Sequence, residues 1–76
     1  MIDTNLLGRT IAVARRKARI TQSELAHSVG VTAQAVSKWE QGRSCPDIAI
    51  LDEVADALGI SLFELLGMDG REKSRS

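Results

Sequence analysis

The 76-residue chain carries one cysteine, one proline, no tyrosine and only two aromatic residues, Trp39 and Phe63. Each scarcity removes a class of protein. Cys45 alone cannot form an internal disulfide, and with the single histidine, His27, it falls short of the four ligands of a structural zinc site. No metal, cofactor or small-molecule ligand is therefore expected. No apolar run approaches the roughly 20 residues of a membrane span. The stretch 1–7 contains Asp3 and lacks the apolar core of a signal peptide, so a cytoplasmic protein with no membrane partner is expected. A domain this small buries only about 60% of its unfolded surface, which leaves little room for a deep catalytic pocket. There is no clustered nucleophile and base and no phosphate-binding glycine loop, so an enzyme is not expected.

Net charge is also missing: ten basic residues face ten acidic ones. The balance hides an asymmetry. Residues 1–46 hold seven basic and three acidic residues, for +4, and residues 47–76 hold three and seven, for −4. A phosphate backbone meets a local surface and not a sum, so the first half is the one expected to face nucleic acid.

What is present is helical periodicity, with no useful stretch of period-two alternation. Glycines fall at the ends of the periodic segments (Gly30, Gly42, Gly59, Gly67), where a left-handed residue closes a helix. The starts repeat one device. Thr21 and Glu24 form a capping box flanked by an Ile20/Leu25 staple, and Ser61 with Glu64 repeats it. Thr32 keeps the cap but has Ala35 in the glutamate's place, and Asp47 follows Pro46 as a fourth start. The result is an all-α chain of five helices at about 5–18, 22–29, 33–41, 48–58 and 62–67, forming one domain over 1–67 with a polar, flexible tail over 68–76. Inward stripes are Leu7, Ile11, Ala14, Ala18; Leu25, Ala26, Val29; Val36, Trp39; Ile48, Leu51, Ala55, Leu58; and Leu62, Leu65, Leu66. Trp39 could stack on bases, but its spacing from Val36 puts it in the core. His27 reads as a solvated helix residue and Cys45 as a loop thiol.

The join between helices two and three carries the functional signal. A small residue at Ala26 permits close crossing, Gly30 ends the first helix, and Val31, Val36 and Trp39 fix the second against it. A helix mounted on so short a turn can project into a major groove. The ordered set Ile11-x-x-x-Arg15, Ile20-Thr21-Gln22-x-x-Leu25-Ala26, Gly30-Val31-Thr32, Val36-Ser37-x-Trp39-Glu40-x-Gly42, Pro46 and Leu58-Gly59-Ile60-Ser61 resembles the phage repressor and Cro-type (XRE-like) helix-turn-helix family over Leu7 to Leu66. The resemblance implies a compact five-helix repressor-type domain that binds double-stranded operator DNA as a two-fold homodimer. It implies base contacts from Ala33, Gln34, Ser37 and Lys38, a phosphate contact from Gln22, and a structural ion pair between Arg15 and Glu40. Gln34 has the two-pronged amide that suits adenine, Lys38 reaches guanine acceptors, and Ala33 offers only a methyl group. Thr32, Arg43, Arg16 and Arg19 are further candidates for phosphate. Phe63 lies about 100° from Leu62 and cannot share that stripe, so with Met68 it is expected at the dimer interface. The alternative is an antitoxin or protein-interaction module on the same fold.

Overall fold

The computed structural model describes residues 3–67, which form five α-helices: α1 Thr4–Lys17, α2 Gln22–Val29, α3 Ala33–Glu40, α4 Ile48–Leu58 and α5 Leu62–Leu66. Local chemistry explains four of the five starts in the way the sequence suggests. In the Thr21 box the Glu24 N–H donates to the threonine hydroxyl at 3.0 Å, and the Glu24 carboxylate accepts from the Thr21 N–H at 2.8 Å. The Ser61/Glu64 box closes in the same way at 3.0 and 3.1 Å. Thr32 accepts from Ala35 N–H at 3.1 Å, and Asp47 accepts from Ile50 N–H at 2.9 Å. Each such cap contributes about 1 kcal/mol by satisfying an orphan donor. The fifth start was not anticipated: Asp3 accepts from the N–H groups of Asn5 and Leu6, so α1 begins at Thr4.

The helices enclose one core. Ile11, Leu25, Val36, Leu51, Val54 and Leu65 are essentially solvent-free, and Trp39 is buried among the same cluster. α1 packs on α3 and α5, α2 on α3 and α4, and α4 on α5. Losing one such leucine to alanine would cost about 2–5 kcal/mol, a large part of a small domain's stability.

Two inward assignments need correction. Ile48 is 65% exposed, because it is the first residue of α4 and lies a full turn ahead of that helix's first buried residue, Leu51. Ala18 is exposed because α1 stops at Lys17, whereas Ala14 is partly buried and packs against the core as expected. Ala12 and Val54, outside the expected stripes, are buried. Leu62 and Leu66 are partly buried beside a fully buried Leu65.

Two backbone features set the spacing of the site. Gly8 lies inside α1, where glycine costs roughly 1 kcal/mol relative to alanine. A Cβ there would overlap the Trp39 carbonyl oxygen, so its absence lets α1 and α3 touch backbone to backbone. At the other end of α1 no glycine is available, and Arg19 takes the left-handed conformation itself (φ 62°). That places Ile20 and Thr21 to start α2 almost at once.

Candidate nucleic-acid interface

α2 ends at Gly30 in the left-handed region (φ 74°), and Val31 N–H donates back to Ala26 C=O at 2.9 Å, closing the turn. Thr32 then caps α3, so only Gly30, Val31 and Thr32 separate the two helices. Val36 and Trp39 anchor α3 from inside. Its outer face therefore presents Gln34 and Lys38, both exposed, with Ser37 partly exposed between them. Ala33 is turned further inward than expected. It is half-buried and packs against the core cluster, which reduces the methyl surface it can offer.

A polar network fixes the inner end of α3. Arg15 Nε donates to Glu40 Oε2 at 2.6 Å and Nη2 to Oε1 at 3.2 Å, a two-pronged pair whose side chains are only 12% and 7% exposed. The third arm, Nη1, donates to Ile20 C=O at 2.8 Å. Gln22 Nε2 adds a bond to Glu40 Oε1 at 2.9 Å, so α1, α2 and α3 meet at one carboxylate, and Arg15 ties the α1–α2 loop to them. Burial pushes the Glu40 carboxyl up. The hydrogen bonds from Arg15 and Gln22, with the charges of Arg15 and Arg16, outweigh it and hold the group below the ordinary carboxylate range. For Arg15 the hydrogen bond to Glu40 raises the pKa further above its normal value, against a smaller burial effect. Among the described residues no buried side-chain polar atom lacks a partner.

The remaining candidates surround this centre. Arg16 and Arg19 are exposed and line a shallow concavity with Ser23 and Gln22 at the start of α2. Arg43 is exposed just beyond α3. Its Nη1 donates to Gln41 Oε1 at 3.5 Å, and Gln41 Nε2 donates to Ser37 Oγ at 2.9 Å. Gln41 thus links a candidate base-facing residue to a candidate phosphate-facing one, although it was not singled out from the sequence; its i+4 spacing from Ser37 was the available signal. A second groove, lined by Arg9, Arg16, Gln22, Ser37 and Gln41, joins this surface to α1. Thr32 is exposed, but its hydroxyl already accepts from Ala35 N–H. Phe63 is 65% exposed on α5, whereas Met68 and the stretch 68–76 lie outside the described residues. Cys45 is exposed. No group of His, Cys, Asp and Glu able to hold a metal occurs among the described residues, and none of their helices is long and apolar enough to cross a membrane.

Known proteins share this arrangement. Residues 11–65 match the helix-turn-helix family. The uncharacterized HTH-type transcriptional regulator y4dJ of Sinorhizobium fredii is 39% identical over 61 residues, which are 80% of this chain and 79% of that protein. The cryptic phage CTXphi transcriptional repressor RstR of Vibrio cholerae is 35% identical over 57 residues, 75% of this chain but only 51% of the repressor's length. The P22 c2 repressor protein, solved in complex with a synthetic operator, is similar with a TM-score of 0.78 and 35% identity, over 83% of this chain and 96% of that one. The chain belongs to the helix-turn-helix family of transcriptional regulators, which bind double-stranded DNA.

Proposed function

We propose that this protein is a cytoplasmic transcriptional repressor that binds a palindromic operator as a homodimer. The observation that carries the reading is the mounting of α3: capped by Thr32, anchored by Val36 and Trp39, and showing Gln34 and Lys38 to the outside. On this reading α3 enters the major groove, with Gln34 and Lys38 reading base edges while Ser37 and the half-buried Ala33 flank them. Gln22, Thr32, Arg43, Arg16 and Arg19 meet the phosphates on either side, and α2's N-terminus adds its dipole there. The similarity to repressors, one of them solved on an operator, supports the repressor role.

Selection of bound duplexes from a random pool tests it. The expected result is an enriched palindrome whose half-sites lie about 34 Å apart, one turn of DNA. Enrichment of a single, non-repeated half-site would overturn the dimeric reading. No enrichment, with a protein partner retained instead, would favour the antitoxin or interaction module.

A further inference from the structure

We propose that Glu40 is a positioning residue for DNA binding, holding the Gln22 side-chain amide so that its second N–H is presented to a phosphate. The proposal rests on the reading that the start of α2 docks on the DNA backbone, and it adds how that contact is set.

An ionised carboxylate only accepts hydrogen bonds, so the 2.9 Å contact between Glu40 Oε1 and Gln22 must be made by the amide NH2 and never by the amide oxygen. A phosphate oxygen also only accepts. A free glutamine can offer either end of its amide to solvent, and half of those orientations turn an acceptor toward the phosphate. Glu40 removes the wrong half. The carboxylate can do this because it is itself immobile. Arg15 grips it at 2.6 and 3.2 Å through a planar fork, and the fork's third arm is tied to Ile20 C=O at 2.8 Å. Arg15 also offsets the negative charge that would otherwise oppose a phosphate nearby, and Arg16 contributes positive potential at the same carboxylate. The second hydrogen on Gln22 Nε2 has no partner among the described residues, and the side chain is only partly exposed. It is a donor held in one direction and left unused.

Two variants and their combination test this by duplex-DNA titration, at a temperature where all are folded. Gln22→Ala is expected to weaken binding roughly tenfold, the scale of one hydrogen bond to a charged group. The loss should be equal on the selected site and on unrelated duplex, and the salt dependence unchanged, because glutamine carries no charge and releases no counterion. Glu40→Gln should weaken binding in the parent chain but not in the Gln22→Ala chain, whereas its effect on stability should persist in both. An equal loss of affinity in both backgrounds overturns the proposal, since a merely structural glutamate would act regardless of Gln22. NMR of the unmodified protein without DNA keeps the question open to refutation if Glu40→Gln does not fold. The Gln22 side-chain amide is expected to be ordered, with one slowly exchanging proton, and an amide as mobile as that of Gln34 overturns the proposal. If Gln34 or Lys38 variants lose sequence preference while Gln22→Ala binds normally, the positioning role fails and the wider reading stands. If the parent chain binds no duplex, it is the wider reading that fails.

Discussion

Removing the Glu40 carboxylate would strand an arginine whose side chain is only 12% exposed, and removing Arg15 would strand the carboxylate in turn. A partly buried pair broken from one side costs up to about 3–5 kcal/mol, because a charge held largely out of water loses its charged partner. Arg15→Met and Glu40→Gln should each destabilise the domain on that scale, and the double variant by less than the two losses added. Urea denaturation of the four proteins measures the coupling, and simple additivity would mean the pair contributes nothing jointly. The pH dependence has a fixed sign. Since folding depresses the Glu40 pKa, its contribution is fully present above the unfolded value of about 4.3 and is lost as pH falls through the lower folded value. The gap in stability between the parent chain and Glu40→Gln should therefore narrow only below pH of about 4. A gap that instead changed between pH 5 and 8 would assign it to another group.

At the scale of the elements, α3 divides its residues between holding and reading. Val36 and Trp39 are buried and hold the helix; Gln34 and Lys38 are exposed, and on the proposed function they read the bases. Replacing Gln34 or Lys38 with alanine should cost about 1–3 kcal/mol on the selected operator and relax preference at the bases each meets. Arg43→Ala should weaken all duplexes alike and reduce the salt slope by about one counterion. Titrations on matched and mismatched sites separate the two behaviours, and helix variants that shift every sequence equally would reassign those residues to the backbone. The caps and the inner face of α3 were legible in the sequence because such signals are local: Thr21, Thr32, Asp47 and Ser61 each find their partner within three residues. What was not legible depends on neighbours far along the chain. Ile48 follows the period of α4 but stands a turn ahead of the buried face, and Gly8 looks like a weak point of α1 until Trp39 lies against it. Within the site, the outer face of α3 followed from its inner one. The bond of Gln22 to Glu40, 18 residues away, follows from how side chains meet, which periodicity does not encode.

For the whole molecule the question is what covers Phe63, which stands 65% exposed on α5 while Leu65 beside it is fully buried. Fully burying a phenylalanine is worth about 1.5–3 kcal/mol, and a two-fold axis uses each such contact twice, giving at most about 6 kcal/mol. Association costs an estimated 4–15 kcal/mol in lost freedom, so on the proposed dimeric reading Phe63 by itself would leave the dimer weak. On that reading DNA would supply the difference: two subunits on adjacent half-sites would already be near one another, and the contact would add to two sets of groove interactions. The expected behaviour is a monomer–dimer equilibrium in free solution and steep, concerted filling of the full operator. Phe63→Glu would place a charge at the proposed interface and should give a folded monomer that binds a half-site normally and the full operator weakly. Sedimentation with circular dichroism of that variant settles the assignment. A dimer that survives the substitution, or a chain that no longer folds because the ring was needed by the core, would remove Phe63 from the interface.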